Sequence, residues 1–237
     1  MFLNLKERSD KEEIMDDFHM EGPLLESTLD KIASINKWLG GNRITVSGLT
    51  ELWKHTNKDD AIIIADLGCG NGDMLRVVAD LARKEKRKVK LIGIDANKFT
   101  IQYARKLSTS YPEISYINGI VPSAAFKELN YDIVLSTLFF HHFTNRELKE
   151  SLTEITYKAS LGVVVNDLHR SQLAIFLFKV VTLFIPNQMV KEDGITSIER
   201  GFRKNEIQNF AKELKLTNSQ VYWKWAFRYQ WIIRTNN

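Results

Sequence analysis

The sequence predicts an α/β fold in which a mostly parallel sheet carries helices on both faces. Short apolar runs alternate with segments of helical spacing through the middle of the 237-residue chain. Such alternation is typical of parallel strands joined by helices. Two β-rich runs close the sequence with a gap too short for a parallel crossover, so we expect them to form an antiparallel hairpin.

The elements before the first strand are predicted to be helical. Residues 21–39 place apolar side chains near helical spacing, and Gly40-Gly41 ends that pattern. Residues 49–55 predict a further short helix. We expect residues 1–60 to form a helical cap.

The first strand leads into the most informative turn of the chain. Residues 62–67 are an apolar run that contains Asp66, and Gly68, Gly70 and Gly72 follow at alternate positions. Apolar residues at helical spacing then cover 74–82. A strand, glycine turn and helix start of this kind let a ligand lie against bare backbone at the carboxyl edge of a sheet. An ordinary glycine-rich turn is the alternative.

The alternation continues to the end of the sequence. Thr144 is a predicted N-cap for the helix that follows it. The later strands are predicted at 88–95, 114–118, 132–137, 161–166, 220–225 and 228–234, and the later helices at 98–108, 145–159 and 202–214.

The glycine pattern separates two kinds of cofactor. A dinucleotide fingerprint needs a third glycine where this sequence has Asp73. A carboxylate there would repel a pyrophosphate and attract an ammonium group. A nicotinamide dehydrogenase is therefore a weaker alternative.

The pattern from Asp66 to Gly72 resembles motif I of the class I S-adenosylmethionine-dependent methyltransferases. The resemblance covers about residues 60–235 and implies a Rossmann-like sheet of seven strands with the last one reversed. It implies one domain over residues 1–237, with a core at 61–170, a lid insertion at 171–201 after strand five, and a C-terminal helix and hairpin at 202–237.

The resemblance also implies a cofactor, S-adenosyl-L-methionine, with S-adenosyl-L-homocysteine as product. Asp95 follows the glycine turn by about twenty residues, the spacing of a ribose-binding carboxylate, and its alternative role is an N-cap. Arg43 is predicted to pair with the cofactor carboxylate or to lie on the surface. Cys69 is expected to pack rather than to act as a nucleophile. The predicted cofactor-binding residues are Arg43, Asp66, Gly68, Cys69, Gly70, Gly72, Asp73, Asp95, Ala96, Asn118, Gly119, Ile120, Thr137 and Leu138.

The segment 172–185 is apolar on nearly every face and ends at Pro186. As a helix it would span roughly 20 Å, too short to cross a bilayer core. We expect it to form a lid wall that lines an apolar pocket. A plain buried helix and a dimer or membrane contact are the alternatives.

Three histidines follow strands whose carboxyl ends would flank the transferred methyl group. His169, close in sequence to Asp167, is the first candidate for a general base, and His142 is the second. His141 is the third and has a buttressing role as its alternative. Catalysis by proximity alone, with no essential base, is also open.

The acceptor is expected to be a phenolic, polyketide-like or other lipophilic aromatic small molecule, methylated on oxygen. The predicted acceptor-binding residues are Met15, Phe18, Phe140, Arg170 and Phe176. The residues after strand four do not match the motif of enzymes that methylate nucleic-acid amino groups. Carbon methylation of a quinol or phenol ring, and a non-catalytic module that binds S-adenosylmethionine, are the alternatives.

Composition excludes several other classes. A single cysteine excludes a disulfide framework and a cysteine-based zinc site, and it suits a reducing cytoplasm. No run reaches the length of a membrane span, and we expect no metal. The net charge of +4 does not by itself argue for nucleic acid. The basic cluster at 83–88 is interpreted as a solvated helix end, with a nucleic-acid or lipid surface as alternative. A homodimer is possible.

Overall fold

The computed structural model describes residues 5–123, 126 and 128–235. Seven strands form one sheet: β1 Ile62–Leu67, β2 Val89–Asp95, β3 Ile114–Asn118, β4 Ile133–Thr137, β5 Gly162–Leu168, β6 Ser219–Lys224 and β7 Arg228–Arg234. Their order is β3-β2-β1-β4-β5-β7-β6. Strand β7 pairs antiparallel with both β5 and β6, whereas the pairs among β1 to β5 are parallel. The predicted fold class is confirmed.

The α-helices among the described residues agree with most of the predicted segments. They are α1 Pro23–Trp38, α2 Gly41–Trp53, α3 Asp73–Glu85, α4 Lys98–Leu107, α5 Asn145–Lys158, α6 Gln172–Val181, α7 Gln188–Arg200 and α8 Lys204–Glu213. Thr144 caps α5 as predicted, because its side chain accepts a hydrogen bond from Glu147 N.

Helix α2 is longer than the predicted 49–55 segment because glycines start it and let it approach the sheet. Gly40 adopts a left-handed conformation at its N-cap. A Cβ at Gly48 would lie 2.5 Å from Val164 of β5, so only glycine allows the helix this close. Trp53 and Leu49 are fully buried. Helix α2 therefore belongs to the core as well as to the N-terminal cap.

The core lies on both faces of the sheet. Adjacent strand residues point to opposite sides, so Ile64 joins the cluster with α2 and α3, and Ala65 joins the cluster with α5 and α8. Strands buried on both faces need nearly continuous apolar sequence, as the runs of β1 and β5 show.

The segment 172–185 is not one continuous helix. Helix α6 ends at Val181, a short 3₁₀ turn covers Thr182–Phe184, and α7 begins at Gln188. Pro186 disfavours helical geometry at the preceding residue, and Asn187 caps the next helix through Val190 N.

Helix α6 has two unlike faces. Ala174 and Ile175 are buried, whereas Phe176 and Leu173 are more than half exposed. The alternative of a plain buried helix therefore does not hold. Among the residues that the structure describes, none of the helices combines the length and apolarity that crossing a membrane requires.

Candidate active site

A cavity of about 1650 Å³ opens at the carboxyl ends of β1, β2 and β4. One wall is formed by the glycine turn and the residues that follow β2 and β4, and the opposite walls by residues 7–18, α6 and α7. The start of β7 completes it through Arg228. Parallel strands gather their loops at this edge, where α/β proteins bind ligands.

The glycine turn depends on conformations that side chains disfavour. Gly68, Gly70 and Gly72 all have positive φ, at 63°, 52° and 77°. The Phe139 ring packs directly on Gly68, where a Cβ would lie 2.2 Å from it. Backbone is therefore exposed to the cavity at Gly68 and Gly70, whereas Gly72 lies against the Tyr116 hydroxyl and does not line the cavity.

Cys69 packs in the core of this turn, as predicted from its place in the motif. Its side chain is buried, and burial raises the pKa of the thiol well above its usual value. A thiol held protonated is a poor nucleophile.

Asp95 is held by the backbone on both sides. Its Oδ2 accepts a hydrogen bond from Gly70 N at 3.1 Å, and its Oδ1 accepts one from Asn97 N at 3.0 Å. Burial raises its pKa to about 6, against the lowering effect of these two hydrogen bonds. The N-cap alternative belongs to Asn97 instead, whose Oδ1 accepts from Thr100 N. Asp95 therefore has lone pairs left for a ligand.

Two further acids stand beside the turn. Asp66 is buried, and burial followed by the charges of Asp73 and Asp95 raises its pKa well above the usual range. Asp73 Oδ2 accepts a hydrogen bond at 3.1 Å from Asn42, which itself pairs with the buried Asn36. Helix α2 thus fixes one acid of the turn, a link that local sequence spacing does not reveal.

The predicted cofactor-binding residues that follow β3 lie partly in the cavity and partly outside it. Gly119 and Ile120 line the cavity, and Ile120 is 57% exposed. Asn118 lies outside it and donates its amide to Asp95 O and Ala96 O. Arg43 is exposed on α2 and does not line the cavity, so the structure agrees with its surface alternative.

His141 lies between two carboxylates in the protein interior. Its Nδ1 is 2.7 Å from Asp167 Oδ1, and its Nε2 is 3.4 Å from Glu13 Oε1. Burial lowers its pKa, but the charge and hydrogen bond of Asp167, followed by Glu13, raise it to about 9. His141 is therefore an imidazolium at neutral pH and cannot accept a proton there.

His142 faces the cavity and is oriented by one carboxylate. Its Nδ1 is 2.8 Å from Asp16 Oδ1, and a quarter of its side chain is exposed. When this ring is protonated, its charge lowers the pKa of the nearby Asp95 carboxyl. The His142 Nε2 lies 4.0 Å from Glu13 Oε2, beyond hydrogen-bond distance. A histidine held through Nδ1, whose Nε2 makes no hydrogen bond of its own, has the arrangement of a general base.

The segment from Arg8 to Asp16 supplies groups whose roles the sequence did not reveal. Arg8 donates to His141 O at 2.8 Å and Phe143 O at 2.7 Å, and Arg200 donates to Asp16 Oδ2 at 3.2 Å. Asp16 and His142 are 126 residues apart, so no local spacing could have paired them.

Glu13, His141 and His142 are the group of side chains, within the described part of the chain, that could hold a metal ion. Their donor atoms lie within 4.8 Å of one another, and carboxylates that bond the other ring nitrogen commonly orient metal-binding histidines. The raised pKa of His141 opposes such binding, because a ligating imidazole must be neutral.

His169 lies apart from this arrangement. Its Nδ1 accepts a hydrogen bond from Trp223 Nε1 at 3.3 Å, and burial followed by Arg203 and Arg170 lowers its pKa. It lines a separate shallow depression rather than the large cavity. The structure therefore does not bring His169 together with the glycine turn.

The predicted acceptor residues are divided by the structure. Met15 and Phe18 line the cavity. Phe140 is buried in the core, Phe176 faces outward, and Arg170 is buried against Glu206 and Leu5 O. Leu177, Phe178 and Val181 line the cavity from α6 instead, because a helix apolar on every side gives no sign of which side faces inward.

Comparison with known proteins gives a consistent class. The family model described as a methyltransferase domain matches residues 64–158. The chain is 26% identical to the mitochondrial ubiquinone biosynthesis O-methyltransferase of Schizosaccharomyces pombe over 188 residues, which cover 74% of this chain and 65% of that relative. It is 32% identical to 2-phytyl-1,4-naphtoquinone methyltransferase of Thermosynechococcus vestitus over 77 residues, which cover 30% of this chain and 33% of that relative. The matches thus span about two thirds and one third of these relatives' lengths.

A solved structure agrees at the level of the fold. The plantazolicin methyltransferase BpumL, in complex with SAH, superposes with a TM-score of 0.67 at 15% identity, covering 90% of this chain and 94% of that one. The sheet order and the glycine turn with its carboxylate define an α/β protein that binds a nucleoside-type cofactor. Together with the domain match over residues 64–158, they support a resemblance to the class I S-adenosylmethionine-dependent methyltransferases.

Proposed function

We propose that this protein transfers a methyl group from S-adenosylmethionine to a hydroxyl oxygen of a phenolic, lipophilic small molecule, with His142 as general base. The observation that carries the proposal is the presence of the glycine turn, Asp95 and the Asp16–His142 pair around one cavity.

The cofactor half of the cavity fits S-adenosylmethionine. Gly68 and Gly70 expose backbone for the amino-acid end, and Asp73 supplies a carboxylate for its ammonium group. Asp95 is suited to accept both ribose hydroxyls, since each of its oxygens has one backbone donor and room for another. Gly119 and Ile120 are suited to the adenine.

The acceptor half suits an apolar aromatic molecule. Leu177, Phe178 and Val181 form one wall, and Met15 and Phe18 form another. The cavity volume of about 1650 Å³ exceeds the range of roughly 300–1,000 Å³ that is usual for a drug-sized ligand. It therefore has room for a cofactor and a large acceptor together.

His142 is assigned the proton transfer, and Asp16 orients it. When bound, S-adenosylmethionine supplies an activated methyl group and leaves as S-adenosylhomocysteine. The His142 Nε2 accepts the phenol proton as the oxygen forms its bond to the methyl carbon, and Asp16 stabilises the resulting imidazolium. His141 is already cationic, so it places a positive charge beside the pocket and takes no proton from the acceptor.

Carbon methylation of a phenol or quinol ring is the alternative reaction. It would use the same residues, since removing the phenol proton activates the ring as well as the oxygen. Nuclear magnetic resonance of the product distinguishes a methyl ether from a ring methyl group.

The test separates binding from turnover. We expect titration calorimetry to show binding of S-adenosylhomocysteine, and an assay with S-adenosylmethionine and a panel of alkyl phenols and catechols to give methylated product. Binding with no turnover on any member of the panel would favour the non-catalytic module. Reduced-nicotinamide absorbance that changes during turnover would instead indicate a dehydrogenase.

A further inference from the structure

Arg228 differs from the other buried arginines of the described structure. Its side chain is 3% exposed, and neither its Nε nor its Nη1 has a hydrogen-bond partner among the described residues. The other buried arginines all have partners: Arg87 donates to Thr56, Arg170 to Leu5, Gly201 and Glu206, and Arg200 to Lys11, Asp16, His141 and His142.

Asp167 is the carboxylate whose charge acts on Arg228, and its oxygens already accept other hydrogen bonds. Asp167 raises the pKa of Arg228, but burial outweighs it and lowers that pKa to about 10. Asp167 Oδ1 binds His141 Nδ1 and Leu168 N, and its Oδ2 accepts from His141 N. Arg228 is therefore still a cation at neutral pH, and its buried nitrogens have no anion bound to them. A buried cation without a bonded partner is costly to maintain.

The backbone fixes Arg228 at the cavity wall. It is the first residue of β7, paired with Leu168 on one side and Lys224 on the other, and it lines the large cavity. The turn before it holds Ala226 and Phe227 at positive φ, 59° and 54°. Such conformations are usual in a short hairpin turn, and they fix where β7 begins.

The position of Arg228 is on the acceptor side. Three strand intervals separate β7 from β1 in the sheet, which is about 14 Å at the usual spacing between strands. Trp223, Trp225 and Phe227 line the cavity beside it. A cation next to aromatic side chains is suited to an aromatic ring that carries an anionic substituent.

We propose that Arg228 binds a carboxylate of the acceptor, so that the preferred substrates are aromatic hydroxy acids rather than neutral phenols. This inference rests on the proposed function, because it takes the bound acid to be the methyl acceptor. The binding itself does not require turnover. The ligand carboxylate gives the guanidinium at the cavity wall the anionic partner that the protein does not supply.

The experiment compares 3,4-dihydroxybenzoate with catechol, which lacks only the carboxylate. Each is titrated into the protein saturated with S-adenosylhomocysteine, using wild type, Arg228→Met, Arg228→Lys and the exposed-site control Arg146→Met. We expect wild type and the control to bind the acid about 10- to 100-fold more tightly than catechol. Arg228→Met should lose this preference and Arg228→Lys should keep part of it.

Several results would overturn the proposal. Equal binding of the two compounds by wild type, binding of neither, or an unchanged preference in Arg228→Met would each do so. An equal loss of affinity for S-adenosylhomocysteine in Arg228→Met would assign the arginine to the cofactor carboxylate instead. Tight binding of the acid through Arg228 without methylation of any phenol would leave this inference standing and contradict the proposed function.

Thermal unfolding of the unliganded Arg228 variants gives a second test. A structural arginine should lower the melting temperature when it is replaced, because its bonds are lost. Arg228 has no such bonds to lose, so Arg228→Met and Arg228→Lys should melt no lower than wild type. A drop of several degrees in both variants, but not in Arg146→Met, would contradict the proposal.

Discussion

The two halves of the cavity are built in different ways. The cofactor half comes mainly from one stretch of sequence: the turn at 66–73 and Asp95 lie at the ends of adjacent strands β1 and β2. The acceptor half combines the N-terminal segment, the residues after β4, α6 and the start of β7. Its central pair, Asp16 and His142, is 126 residues apart in the chain. The first half can therefore be recognised in the sequence as a motif, whereas the second exists only after folding.

The sharpest way to test this division is to remove His142. We expect His142→Ala to lower kcat by about 10²- to 10⁴-fold, because the phenol proton loses its acceptor. Calorimetric affinity for S-adenosylhomocysteine should remain unchanged, since the cofactor half is intact.

His169→Ala is the matched control, as it replaces a histidine outside the cavity. It should retain most of the wild-type rate. The assignment fails if His169→Ala is the slow variant and His142→Ala is not.

The next largest effect concerns stability and the buried His141. Its folded-state pKa of about 9 lies above its ordinary value of 6.5, so its ionisation stabilises the protein below pH 6.5. That contribution, about 3 kcal/mol, should disappear as pH rises through about 9.

Denaturant unfolding between pH 6 and 10 measures this dependence. His141→Gln should flatten the profile across that range. His55→Gln changes an exposed histidine and should keep the wild-type slope. An identical slope in wild type and His141→Gln would show that His141 is not the group responsible.

In the cofactor half, Asp95→Asn should weaken S-adenosylhomocysteine binding by about 1.5–3 kcal/mol, because two hydrogen bonds to a charged acceptor are lost. Wild-type affinity should also fall as pH drops below about 6, where the Asp95 carboxyl takes up a proton. Calorimetry at several pH values tests both. Asp95→Asn should show no such pH dependence, and an unchanged affinity would remove the ribose assignment.

The smallest expected effect distinguishes the two faces of α6. Leu177→Ser, which changes a cavity-lining residue, should raise the acceptor KM several-fold. Phe176→Ser, which changes its outward-facing neighbour, should leave KM unchanged and alter stability by no more than about 0.5 kcal/mol. Equal effects of the two substitutions would contradict the orientation of the lid wall.

Prediction from sequence succeeded where the information was local. Apolar periodicity and the glycine turn were sufficient for the strands, the sheet type and the position of Asp95. The predicted start of α2 was too late in the sequence, because the close approach of the helix at Gly48 depends on Val164 from another part of the chain. It treated 172–185 as one helix, although Pro186 and Asn187 show where a second could begin.

For the acceptor half, sequence supplied candidate residue types but no partners. His141, His142 and His169 all follow strands and look alike in the sequence. Asp167 and Glu13 make His141 a buried cation. Asp16 orients His142, and Trp223 of β6 packs against His169. Arg228 was not selected, because a charged residue at the start of a strand gives no sign that the fold will bury it.

The hydrogen bonds that Asp16 makes with His142 and Arg200 can form only after those later residues have been synthesised. Asp16 leaves the ribosome 126 residues before His142, and Arg200 emerges later still. A nascent chain that already contains the complete glycine turn and Asp95 cannot yet form the Asp16–His142 pair. During synthesis, competence to bind the cofactor should therefore precede formation of this pair.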